Sequence, residues 1–341
     1  MSPAGGRVGA AASAVAAAVA VALVAIACGS PGGSGRRSGN LGLGPTTTVP
    51  LPPATPPAVG DRPLPGGPPL PGGPPGALVT TTGVIVPLQA SAGTSHEVTT
   101  PCGRPATVAG GTPVSGAVVL DPGHGGAEPG AVSPAGLAEE GVNLAVAQHA
   151  RDVLVEAGVS TVLTRSGDYD VKLGVRTELA QRLQPRALLS IHHNAEPDGP
   201  WPGPGTETYY QAASPDSRRL AGLVYEEVVA ALSRFDVAWV ADTDAGAKVR
   251  PGSRGDYYAI LRQPAPVVSV LAELAFISNP PEAELLARPE VQRLEGEAVA
   301  RGILRYLRTD DAGSGYTEAY PRTTPAEPGG PAPPCVDPPL G

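Results

Sequence analysis

The chain has 341 residues, of which 45 are glycine and 42 proline; aromatic side chains make up only 4% and the formal net charge is −8. Glycine and proline are concentrated, so at least one long stretch has too few apolar side chains to offset the entropy of ordering it. The charge is offset by no basic run or basic helix face, which argues against a nucleic-acid partner, and the chain contains neither a Gly-rich phosphate loop followed by Lys-Ser or Lys-Thr nor a G-x-S-x-G elbow.

In chain order, residues 1–28 join a positive end at Arg7 to an apolar run from Val8 to Ala27 that carries no charge. Such a segment reads as an export signal or a membrane anchor outside the fold. Its close, "VAIAC", is similar to a bacterial lipoprotein signal, in which the cysteine, here Cys28, becomes the lipidated first residue. A plain signal peptide and a spanning helix are the other readings, and all three place the remainder in the cell envelope or outside the cell. Residues 29–77 read as a disordered Pro/Gly-rich linker, extending by about 3.1 Å per residue where polyproline-like.

Residues 78–115 hold short Thr/Val runs broken by Gly and Pro, which predicts a small β-rich lead-in with His96 exposed. From 116 to 308, strand-like and helix-like runs alternate, the signature of an α/β domain: a mostly parallel or mixed central sheet flanked by helices. The length suffices for one sizeable core. "AVVL" predicts a buried strand stopped by Asp121-Pro122-Gly123, and "EEGVNLAVAQHARDVLVEAG" a helix with Val142, Val146 and Val153 on one face. "VSTVLTR", "RALLSIHHNA", "TETYYQ" and "PVVSVLAELAF" follow as strands, and "LGVRTELAQRLQ", "SPDSRRLAGLVYEEVVAALSRF" and the region from Pro281 to Leu307 as helical. Residues 309–341 read as a disordered Pro-rich tail. With Cys28 assigned to the leader, Cys102 and Cys335 form an even pair, which in an exported protein points to a disulfide. Nothing in the sequence sets the oligomeric state, and a monomer is the expectation.

His124 follows the "AVVL" strand, and His192 and His193 end another. Two strands therefore bring imidazoles to the carboxyl edge of one sheet, where ligands bind in such folds. Glu139 and Glu140 open the first helix, where a carboxylate is favoured by the helix dipole. Two histidines and one carboxylate with an open fourth position make a catalytic zinc set, whereas magnesium or calcium would want mostly oxygen.

Four motifs in register, "VVLDPGHGG", "GLAEEGVNL", "SIHHNA" and "AELAFISN", resemble the zinc-dependent N-acetylmuramoyl-L-alanine amidase family (type 3), whose members cut bacterial peptidoglycan. The resemblance implies a Zn2+ cofactor held by His124, Glu139 and His192, with Glu273 as the catalytic acid/base and peptidoglycan as substrate. It selects Glu139 because the family glutamate lies four residues before an Asn, here Asn143. It selects His192 because it is the first histidine of the motif; alternation along a strand keeps its neighbour off the metal, leaving His193 to line the groove. Arg176 and Arg262 match arginines common in the family and are expected to be structural or groove-lining; Asn194 and Arg262 are the candidates for substrate binding. Two other readings are a zinc peptidase cutting within stem peptides and a non-catalytic wall-binding protein; the presence of both Glu139 and Glu273 argues against the second.

Overall fold

The computed structural model describes residues 63–313, the backbone of 317–319, and residues 334–341. The leader with Cys28 and the linker as far as residue 62 lie outside the described residues. Strands β1 (Ala77–Val79), β2 (Ile85–Ala92), β3 (Ser95–Thr99), β4 (Pro105–Ala109) and β5 (Thr112–Val114) form an antiparallel sheet in the order β4-β3-β2-β1-β5. The main unit then runs β6 (Val118–Pro122), α1 (Glu139–Glu156), β7 (Thr161–Leu163), α2 (Leu173–Leu183), β8 (Ala187–Asn194), β9 (Gly199–Pro200), β10 (Glu207–Tyr210), α3 (Pro215–Leu232) and β11 (Val240–Ala241). It continues through β12 (Gly246–Val249), β13 (Pro251–Gly252), β14 (Gly255–Asp256), α4 (Ala259–Arg262), β15 (Ser269–Phe276), α5 (Pro280–Leu286), α6 (Pro289–Arg308) and β16 (Thr317–Ala319).

The central sheet has seven strands in the order β16-β12-β10-β15-β8-β6-β7, and it is mixed because β10 runs antiparallel to β15 while β6, β7, β8 and β15 are parallel. Both faces of the parallel part are covered, which is why these strands read as unbroken apolar runs. The connection from β6 to β7 leads to the sheet's edge and that from β7 to β8 leads back across β6, so right-handed crossovers place α1 and α2 on opposite faces. Val119, Leu120, Leu188, Leu189 and Ile191 are fully buried between them, each worth roughly 1.5–3 kcal/mol of apolar transfer. Helix α6 packs on α1 at Gly296, where a Cβ would lie 2.7 Å from the Val146 carbonyl oxygen. The α3 start follows its sequence signal, Ser214 Oγ accepting from the Ser217 amide at 3.1 Å ahead of Pro215.

Three expectations are corrected. The linker was expected to run to residue 77, yet Leu70 exchanges backbone hydrogen bonds with Gly158 and Ser160, and Gly72 and Gly76 lie so close to the backbone of Gly116 and Arg182 that a Cβ would meet them at 2.3 and 2.4 Å. Backbone pairing and close approach hold this stretch, and neither leaves a hydrophobic pattern. The tail was expected to be loose throughout, but Cys335 is bonded to Cys102, and Asp337 accepts from the Cys102 amide at 2.7 Å and from Thr100 Oγ1 and Arg104 Nη1 at 2.9 Å each. His96 is buried rather than exposed, its Nδ1 lying 2.8 Å from Ser91 Oγ across the β2–β3 pair.

The disulfide closes 233 residues of sequence, and for a loop of that size the chain-entropy model allows up to about 5 kcal/mol of stabilisation. Cys335→Ser is expected to unfold at lower temperature, and reductant should bring wild type down to it; a melting temperature unmoved by either change would show that the bond contributes nothing.

Candidate metal centre

Two strands and a helix converge on the carboxyl edge of the central sheet. Just beyond β6 lies His124, in a left-handed conformation with φ 61°. His192 stands near the end of β8, and Glu139 is the first residue of α1, at the positive end of its dipole. His124 Nε2 lies 3.2 Å from Glu139 Oε2, and His192 Nδ1 lies 3.1 Å from Glu139 Oε1. The rings meet edge to face with centroids 5.0 Å apart, and one donor atom from each of the three residues falls within 4.8 Å of the others. Two glycines make the room: a Cβ on Gly123 would come within 2.1 Å of the His192 ring, and one on Gly130 within 2.4 Å of Glu139 Oε2.

Burial pushes the Glu139 carboxyl up, but the charges and hydrogen bonds of His124 and His192 outweigh it and hold the group well below its ordinary range. Burial pulls the His192 imidazole down against the opposing pull of Glu139. A carboxylate and a neutral imidazole are the forms that ligate a metal. Two imidazole nitrogens and one carboxylate oxygen suit zinc, and they fall short of the oxygen shell that calcium or magnesium requires.

The His124 turn is held from beneath by two arginines. Arg176 donates to the carbonyls of Pro122 and His124, both at 2.7 Å, and to Asp121 Oδ1 at 2.8 Å. Arg165, fully buried, donates to the carbonyls of Pro122, Gly123 and Glu140 at 3.0, 2.9 and 2.7 Å. Burial raises the Asp121 carboxyl, but Arg176 together with hydrogen bonds from Thr164 and Ser190 brings it below its usual range. Arg176 is therefore structural. Arg165 had no signal in the sequence, where it closes the run "VSTVLTR" like any strand-end charge.

Glu273 lies in β15, 3% exposed, in register with His192 on one neighbouring strand and with Glu207 on the other. Paired residues share a sheet face, so its carboxylate lies on the same side as the His192 ring. Asn194 donates to Glu207 Oε2 at 3.1 Å and accepts from the Ala195 amide at 2.8 Å. Arg262 donates to the carbonyls of Asp256 and Tyr257 and so supports the β13–β14 hairpin. Both substrate-binding candidates thus hold their own chain. A second acidic group, Glu207, Asp242 and Asp244, contains its own cation, since Lys248 Nζ donates to Glu207 Oε1 and Asp244 Oδ1 at 2.8 Å each.

Residues 118–305 match the model of a protein family described as N-acetylmuramoyl-L-alanine amidase. The chain belongs to that family. It is 36% identical to the uncharacterized protein YqiI of Bacillus subtilis (strain 168), over 57% of this chain and 86% of that one. It is 32% identical to the germination-specific N-acetylmuramoyl-L-alanine amidase of the same organism, over 57% of this chain and 81% of the relative. Among solved structures, the N-acetylmuramoyl-L-alanine amidase AmiC2 of Nostoc punctiforme is 32% identical, with a TM-score of 0.46, covering 57% of this chain and 98% of that chain.

In this amidase the two acidic residues that open α1 diverge. Glu139 faces the histidines, whereas the Glu140 carboxyl stands near that of Asp168. Burial first, and then the Asp168 carboxyl, push Glu140 up from 4.5 to about 7. A raised carboxyl favours the protonated form in the fold, so its contribution to stability is complete below about pH 4.5 and is lost as pH rises through about 7. Glu140→Gln is neutral at every pH and should remove this decline. Thermal melts of the metal-free chain between about pH 5 and 8 check it; parallel slopes for variant and wild type would dismiss the raised Glu140 carboxyl.

Proposed function

We propose that the chain hydrolyses the amide bond between N-acetylmuramic acid and L-alanine in peptidoglycan, with one zinc ion held by His124, Glu139 and His192. The observation that carries this reading is the meeting of those three donors within 4.8 Å on the sheet edge where Glu273 stands in register with His192. Bound there, zinc would polarise the scissile carbonyl and acidify a water, the chemistry such sites supply. The chain's own residues do the rest. Glu139, anchored by the Ala131 amide at 2.9 Å and the His193 amide at 3.1 Å, keeps both imidazoles oriented. Glu273 takes the proton of the attacking water and returns it to the leaving amine of L-alanine, acting first as general base and then as general acid. Arg165 and Arg176 keep the His124 turn from relaxing.

The test is digestion of purified wall with identification of the new ends by mass spectrometry. Free L-alanine amino termini support the amidase reading, and new ends only within the stem peptide would replace it by the peptidase reading. The chain acts outside the cytoplasm as a membrane-tethered lipoprotein, a reading supported by the apolar run before Cys28. No helix among the described residues is long and apolar enough to cross a membrane. Cys28→Ala should move the protein out of the membrane fraction; an unchanged distribution would reject lipidation.

A further inference from the structure

Directly behind Glu139 lies a second pair of ionisable groups that the proposed reaction does not use. His193, on β8, and Glu295, on α6, both have side chains with no solvent exposure, so His193 does not line the groove as the sequence suggested, and His193 Nε2 is 3.5 Å from Glu295 Oε1. That distance exceeds an ordinary hydrogen bond of about 2.9 Å, and neither Glu295 oxygen nor His193 Nε2 has any hydrogen-bond partner. Burying two such groups is costly, and an apolar pair of the same volume is often as stable or more so. Stability therefore gives no reason for their presence.

Position does. Asn143 Nδ2 donates to Glu139 Oε1 at 3.1 Å and to the Gly123 carbonyl at 3.3 Å, so its Oδ1 is left to accept from His193 Nδ1 at 2.8 Å. A flipped amide would set oxygen against both the Glu139 carboxylate and the Gly123 carbonyl, and the His193 Nδ1–H opposes that flip. With Nδ1 donating to Asn143, the opposite corner of the ring, Nε2, faces Glu295 Oε1. The placement depends on Gly296, the next residue of α6, whose lack of a side chain lets α6 approach α1, the helix that carries both Glu139 and Asn143.

We infer that His193 and Glu295 are positioning residues for Glu139, acting through Asn143 to fix the carboxylate in the orientation that holds the metal. The inference rests on the reading of His124, Glu139 and His192 as zinc ligands. It extends to this centre the general pattern in which groups behind the ligands set metal affinity, typically by 10–100-fold.

The test is zinc affinity by chelator competition on the purified chain, with melting temperature and with kcat and KM on soluble wall fragments measured on the same samples. His193→Ala removes the donor to Asn143, and Glu295→Leu removes the acid while keeping its volume. Both should still take up one zinc at saturation, with a dissociation constant raised about 10–100-fold and a kcat reduced more than KM is changed. His193→Asn places an amide donor where Nδ1 stood and Glu295→Gln restores a polar partner to Nε2, so these two should stay near the wild-type affinity. Wild-type affinity in His193→Ala or Glu295→Leu, even with a lowered melting temperature, would overturn the proposal and leave the pair as filler. A wild type that binds no zinc at all would instead remove the metal reading itself, a result visible without any variant.

Discussion

Glu273→Gln is expected to retain zinc and to bind wall material as wild type does, while the rate of amide hydrolysis falls by a factor of about 100 to 10,000. That range corresponds to about 2.7–5.5 kcal/mol of lost transition-state stabilisation. The substitution keeps the shape of a side chain that is 3% exposed in the middle of the sheet, so the fold should tolerate it. What it removes is the ability to accept a proton. Release of free L-alanine amino termini, with bound zinc quantified on the same sample, separates the outcomes. Near-normal release would take Glu273 out of the reaction, and loss of zinc would make it a ligand.

His124→Ala and His192→Ala are each expected to lose nearly all bound zinc and, with it, wall hydrolysis. Each ring is one of two nitrogen donors in a three-residue set, and each also supports Glu139, whose depressed carboxyl depends on both. Removing either leaves a buried carboxylate with half its compensation, so a lower melting temperature should accompany the loss of metal. Metal analysis after dialysis against trace chelator measures it. Retention of a full equivalent of zinc by either variant would remove that histidine from the set.

The strands that frame the centre were legible because they are covered on both faces and so consist mostly of apolar residues, as "VVL", "LLSI" and "VLAELAF" do, with Ser190 and Glu273 the polar exceptions. The three candidate ligands were legible through their motifs, and the structure brings them together. Other parts carried no such mark. β12 has the sequence "GAKV", and its place beside β10 comes from pairing and from Lys248 reaching Glu207, a contact between residues 41 positions apart. Residues 63–76 are held by backbone pairing at Leu70, by close approach at Gly72 and Gly76 and by Arg308 donating to the Pro65 carbonyl, none of which leaves an apolar period. Glu295 stands at i, i+4 steps from Val291 and Val299 on the buried face of α6, but its charged type, among other charged residues of that helix, concealed its burial. Arg165 was hidden in the same way, because a charge at a strand end is ordinarily exposed.

The bond between Cys102 and Cys335 changes what a cut in the chain means. Proteolysis at any single site between the end of α6 and Cys335 would sever the peptide connection without releasing the C-terminal piece, which would stay fastened to the lead-in sheet through sulfur and through Asp337. A nicked molecule would run as one band without reductant and as two with it.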